Sequence, residues 1–474
     1  MSLKKNIISN FILSSLSVIF PLITFPYITR ILSPESLGKI FLIDAFVGYF
    51  ILFSAVGIPY YGVREISKLN NDRPAISKFV SELVIIQLCL SIICSGVFYS
   101  IHFFLPSLAD SSALVKIGCL YIIISSFIME WFYQGIESFS FIALRSIIIK
   151  LASVISILLF IKSSEDVILY YFILTTVTLL QAIINYSNYW LHFHVPVLNK
   201  LQFSKHFKPL LILFSINVSI SVYTILDTII LGLFSSSQSV SYYAVPLKLV
   251  KMFWTIVSGV GIVLIPRISN LYGNSDFDKI KNLMTKSFSI AFLLTIPFSY
   301  FCFFFSAEIL TLISGSNYLP SVNALKILSV VPLIIASCNI LGSQFLLPIG
   351  KEKIILYATI LGLIVSLILN FLLIPRFSFL GSSIACVASE SCVCIYIYIF
   401  TKKYISFTID SLLLKHIIIA LVCTYLLTTC CSAYIRGIQS LFLACAIYIA
   451  SFVVLQFMVF KNAFVFSLLK MRKR

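Results

Sequence analysis

Apolar stretches long enough to cross a bilayer follow one another along almost the whole sequence. About 20 such residues make a membrane-spanning helix. Hydrocarbon offers the backbone no partners, so a spanning segment must satisfy its own peptide groups as a helix or a closed barrel. The runs here are continuous rather than alternating, which selects helices over a barrel. With 60% hydrophobic residues, 11% charged residues and a mean hydropathy of +1.06, the chain is unlike a soluble domain of its length. We expect an all-α integral membrane protein.

Fourteen spans are expected, near 7–29, 40–63, 79–104, 117–133, 146–162, 168–190, 209–234, 243–265, 287–305, 323–346, 354–374, 381–401, 416–435 and 438–460. The first run is longer than the core of a signal peptide and has no A-x-A site, so it is read as an uncleaved span. With the N-terminus inside, cytoplasmic segments hold 25 of the 34 Lys and Arg residues and the outer side holds nine. That asymmetry places both termini in the cytoplasm. It also accounts for the net charge of +17 without nucleic acid. The loops are too short for a catalytic domain, so no enzyme activity is expected.

The spans that start at 7, 40, 79, 117, 146 and 168 recur at 209, 243, 287, 323, 354 and 381. Arg64 and Arg267 end matching helices in REIS and RIS contexts. Two parallel repeats of six helices around a central cavity are a transporter architecture. The expected lobes are 1–208 and 209–403, followed by a helix pair and basic tail over 404–474.

The stretch 209–251 carries the densest polar signal. Asn217, Ser221, Thr224 and Thr228 recur at helical spacing, with Asp227 beside them. Lys248 and Lys251 lie one turn apart on the next helix. Charges inside hydrocarbon are costly, and they face a water-filled cavity or pair with one another. Asp227 is therefore expected to hold one of these lysines when the cavity is empty. The candidate substrate-binding residues are Arg30, Asp44, Arg145, Lys150, Asp227, Lys248, Lys251 and Glu390. Glu82 and Glu130 join Arg145 and Lys150 in an inner layer, where snorkelling to the interface is the bland alternative. Asn10, Ser14, Ser17, Pro21 and Thr24 form a stripe on the first span. Pro21, Pro26, Pro246, Pro297 and Pro332 are candidate hinges.

Other motifs carry little. His192-x-His194 does not share a helix face, and Asp276-Phe-Asp278 lies in a short loop. The twelve cysteines sit in or beside apolar runs without metal-site spacing. No P-loop is present. No cofactor is expected, and a coupling ion, H⁺ or Na⁺, is left open.

YITRILSPESLGKIFLIDAFVGYF, GIPYYGVREISKL, WFYQGIESFSFIALRSIIIKL, ILDTIILGLFSSSQSVSYYAVPLKL, VLIPRISNLY and LNFLLIPRFSFLGSSIACVASE follow in order over roughly residues 20 to 390. This series resembles Wzx-type polysaccharide flippases of the multidrug/oligosaccharidyl-lipid/polysaccharide exporter superfamily. Asp227, Lys248, Arg267, Gly135, Glu137 and Glu390 fall on the recurring polar positions of that family. The resemblance implies translocation of an undecaprenyl-pyrophosphate-linked oligosaccharide across a bacterial inner membrane. It implies association with a polysaccharide polymerase and chain-length proteins, and allows twelve spans in place of fourteen. The alternatives are a cation-coupled efflux antiporter of the same fold and a membrane polysaccharide polymerase or ligase.

Overall fold

The computed structural model describes residues 19–69, 72–195, 201–262, 264–406, 410–431 and 437–455. Within these it does not describe the side chains of 212, 215–224, 256, 258–262 and 266. Asn10, Ser14, Ser17, Arg436 and the basic tail lie outside the described residues, as do the side chains of Asn217, Ser221 and Thr224. Every regular element among the described residues is a helix, and none is a strand.

The helices are α1 (Ile19–Ile31), α2 (Pro34–Ala55), α3 (Ile58–Ile66), α4 (Arg73–Phe104), α5 (Pro106–Ala109), α6 (Ser112–Ser125), α7 (Glu130–Gly135), α8 (Phe139–Phe160), α9 (Val167–His192) and α10 (Ser204–Phe234). They continue with α11 (Ser237–Ile262), α12 (Leu264–Gly273), α13 (Phe277–Phe304), α14 (Ser306–Ser314), α15 (Val322–Leu328), α16 (Val331–Asn339), α17 (Glu352–Phe377), α18 (Phe379–Thr401), α19 (Ser411–Cys431) and α20 (Ile438–Val454). Among the described residues, ten segments are long and apolar enough to cross a membrane.

Local chemistry sets several starts. Ser33 accepts from the Ser36 N–H at 3.1 Å and Pro34 opens α2, while Asp72 does the same for α4 through the Ala75 N–H at 3.3 Å. Two expected spans are broken. The run 40–63 ends as α2 at Ala55, because Val56 and Gly57 both take left-handed φ, 41° and 78°, before α3 begins. The run 117–133 breaks at Met129, φ 47°. There the Asn185 amide of α9 donates to the Ile128 carbonyl and satisfies the interrupted backbone, while Tyr133 of α7 donates to the Asn185 backbone carbonyl at 2.5 Å and ties α7 to α9. The short helices after these breaks, α3 and α7, pack together with Gly62 under Trp131 and Gly135 under Ile66. A π-helical stretch, Ile340–Leu346, similarly ends the helix begun at Val331.

The chain forms two compact units. The first holds the described residues up to Ala244 together with Leu367–Ser382. In it α2 packs on α4, α6 and α10, and α9 packs on α6 and α8. One core of this unit gathers Tyr61, Phe79, Trp131, Phe132 and Tyr189. The second holds Val245–Ser366 and the described residues from Ser383 onward. In it α13 packs on α16 and α19, and α19 on α20, around a core that includes Ile280, Phe288, Phe345 and Val393. This partition follows contact, whereas the lobes 1–208 and 209–403 follow the order of spans.

Candidate functional site

Asp227 lies on α10 and is 5% exposed. A carboxylate so buried needs donors. Tyr243, near the start of α11, donates to Oδ2 at 2.9 Å, and Asn370, late in α17, donates to Oδ1 at 2.7 Å. Tyr49 of α2 is within its electrostatic range. Nearby turns are joined by hydroxyls: Ser378 donates to Ser239 Oγ at 2.9 Å and shares a 2.6 Å contact with Ser235 Oγ. Residues of α2, α11 and α17 thus converge on one acid of α10. Thr228 is half-buried.

Arg145 and Lys150 come together on α8. The Arg145 side chain is 2% exposed, and its Nη2 reaches Glu130 Oε1 at 2.6 Å. Its Nε and Nη1 are buried with no hydrogen-bond partner. The Lys150 amine stands 5.9 Å from the centre of the Phe20 ring. Snorkelling does not describe this arginine, because its head is enclosed rather than extended to an interface. Arg145 is paired with Glu130, and Lys150 is within electrostatic range of both.

Arg30 and Asp44 are exposed on α1 and α2. Asp44 is within electrostatic range of Tyr121, Tyr170 and Tyr171. In the second unit, Lys248 is exposed and Lys251 half-buried on α11. Glu390 of α18 is buried, with Cys338 and Cys394 in electrostatic range.

A further polar cluster escaped the reading of the sequence. Glu82 of α4 is fully buried, which excludes snorkelling for it as well. Its carboxylate accepts from the Gln202 N–H at 2.7 Å, from His206 Nε2 at 2.8 Å and from Lys205 Nζ at 3.0 Å. Tyr61 completes the set through a 3.0 Å hydrogen bond with His206 Nδ1. With Nε2–H donating to Glu82, Tyr61 donates and His206 is neutral. Burial holds His206 below the ordinary histidine range, with Glu82 opposing the shift. No spacing rule connects positions 82 and 206; the only sequence signal was an acid in an apolar run.

The thin motifs have ordinary roles. The His194 ring stacks on Trp190 at 3.8 Å, and Asp276 pairs with Lys279 at 2.5 Å.

Comparison with known proteins places this arrangement. The family model described as "Polysaccharide biosynthesis protein" matches residues 3–272, more than half of the chain. The chain belongs to the polysaccharide biosynthesis protein family. The MatE model matches residues 213–372 of this family member. It is 26% identical over 402 residues to a putative O-antigen transporter of Shigella dysenteriae, covering 83% of this chain and 98% of that protein. A putative O-antigen transporter of Escherichia coli K12 is 24% identical over 85% of this chain and 97% of its own length. Among solved structures, the lipid II flippase MurJ in an inward closed conformation superposes with a TM-score of 0.67 at 17% identity, over 95% of this chain and 97% of that one. This likeness shows the fold. The resemblance to Wzx-type flippases is upheld by the family match and these relatives.

Proposed function

We propose that this family member is a flippase. It translocates undecaprenyl-pyrophosphate-linked oligosaccharide repeat units across the cytoplasmic membrane for surface polysaccharide, by alternating access. The observation that carries this reading is similarity over almost the full length of putative O-antigen transporters. Physics supports it. Neither a pyrophosphate nor a hydrated sugar crosses hydrocarbon unaided. Arg30, Arg145, Lys150, Lys248 and Lys251 supply charge-assisted hydrogen bonds to the diphosphate. Asp44, Asp227 and Glu390 balance those cations and hold polar surface toward the glycan. Lobes 1–208 and 209–403 enclose the cavity, with 404–474 as an appendage, and both termini lie in the cytoplasm. A polysaccharide polymerase and chain-length proteins work beside it.

The MatE match favours one second reading, a cation-coupled efflux antiporter. Complementation separates the two. A strain lacking its own O-antigen flippase, supplied with this gene and the matching glycosyltransferases, should regain surface polysaccharide. No restoration, together with raised drug resistance, would favour the antiporter.

A further inference from the structure

The helices α8 and α9 pack side by side but leave a groove of about 270 Å³ between them. Ile149, Ser153, Ser156 and Phe160 line it from α8, Phe172 and Thr176 from α9. Its lining is apolar and opens outward, with Phe160, Leu169, Phe172 and Leu180 all exposed. The Thr176 hydroxyl is spent on the Phe172 carbonyl of its own helix at 2.9 Å. The groove therefore suits hydrocarbon rather than a polar solute. Small residues at Ala152, Ser153 and Ser156 hold it open.

Its position on α8 is the second observation. Arg145, Ile149, Ala152 and Ser156 follow at spacings of four, three and four, which is one helix face. Arg145 thus lies one turn beyond the groove on the same face. Its side chain is 2% exposed and two of its nitrogens, Nε and Nη1, have no partner. Glu130 takes only Nη2, and Lys150 adds a second cation beside it. From Ile149 to Phe160 the groove runs about 17 Å at 1.5 Å per residue. A narrow apolar channel with buried, under-satisfied cation donors at one end fits an amphiphile with one chain and a strongly anionic head.

We propose that the α8–α9 groove seats the hydrocarbon chain of a polyprenyl diphosphate, with its phosphates turned to Arg145 and Lys150. This rests on the flippase reading and specifies where the lipid carrier is held. A phospholipid is the poorer fit, since it brings two chains to a single groove and a head of lower charge.

The test uses the full chain, purified and reconstituted, with undecaprenyl diphosphate and short-chain geranyl diphosphate as probes. Ser156→Trp and Thr176→Trp fill the groove from opposite walls, and each is checked for monodispersity. Should both aggregate, Ser156→Leu takes their place. Groove filling is expected to weaken undecaprenyl diphosphate about tenfold, what excluding as few as two methylenes from apolar burial gives. Geranyl diphosphate should bind these variants as it binds the wild type, while Arg145→Gln should weaken both probes. Unchanged undecaprenyl diphosphate binding in the filled variants would overturn the groove assignment alone. So would equal competition by phosphatidylglycerol, lost in the same variants, which would make this an anionic phospholipid site. Failure of the wild type to bind undecaprenyl diphosphate at all would overturn the flippase reading and the assignment with it.

Discussion

Asn370 donates to the Asp227 carboxylate at 2.7 Å although 143 residues separate the two. Leu367–Ser382 belongs to the first compact unit, and this bond is one of its ties to α10. A hydrogen bond to a charged group contributes about 1.5–3 kcal/mol. Asn370→Leu should lower stability by about that amount, measured by thermal unfolding in detergent. Asp227→Asn keeps the shape and one acceptor oxygen. Export by this variant should fall while its abundance in the membrane holds. A loss of abundance that accounts for the whole export defect would reduce Asp227 to a structural tie.

Lys248 and Lys251 share α11, one exposed and one half-buried. If they meet the diphosphate, reversing both charges should abolish export from a protein that still inserts. Normal surface polysaccharide from the Lys248→Glu, Lys251→Glu double variant would remove them from the substrate path.

His206 gives a pH dependence with a definite sign. Burial lowers its folded value below the ordinary 6.5, so the unfolded chain binds the extra proton first. Its contribution is complete above about pH 6.5 and is lost as pH falls through the lower folded value. Facing it are Glu82, Lys205, Glu65 and Tyr61. The unfolding midpoint should fall between about pH 7 and pH 5 in the wild type. His206→Gln should flatten that slope; an unaltered slope would assign it to another group.

Gly38 of α2 lies directly against the Ser237 carbonyl, where an added Cβ would collide with backbone. Gly38→Ala should therefore cost about 1–3 kcal/mol, as overpacking does, and reduce the folded fraction after extraction. Wild-type behaviour would mean that the start of α11 shifts freely.

The topology has its own test. A reporter that is active only in the periplasm, fused after Arg474, should remain silent. A signal would reverse the charge-based orientation and the parallel-repeat argument with it.

Much of the fold was readable because hydrocarbon imposes a coarse rule: about 20 apolar residues, one helix. That rule is blind to breaks within an apolar run. In 40–63 the Gly57-Ile58-Pro59 sequence carries a helix-stop signal that the apolarity of the run overrode, whereas 117–133 holds no glycine or proline at the turn at Met129. Asp227 stood out because a lone acid in such a helix is expensive. Its partners did not, because Tyr243 and Asn370 are ordinary residues until tertiary structure brings them within 3 Å. Glu82 was visible as an acid of the inner layer, but not its partners; the snorkelling alternative assumes a path to the interface, and the segment at 202–206 closes that path.

That closure has a consequence for biosynthesis. Glu82 precedes the first of its donors, Gln202, by 120 residues. At about 5–20 residues per second, the ribosome needs roughly 6–24 seconds to supply them. During that interval α4 enters the bilayer with an acid whose eventual ligands do not yet exist. The nascent chain must tolerate this through a proton, water or the insertion machinery. Shortening the chain anywhere before Gln202 would make the temporary vacancy permanent.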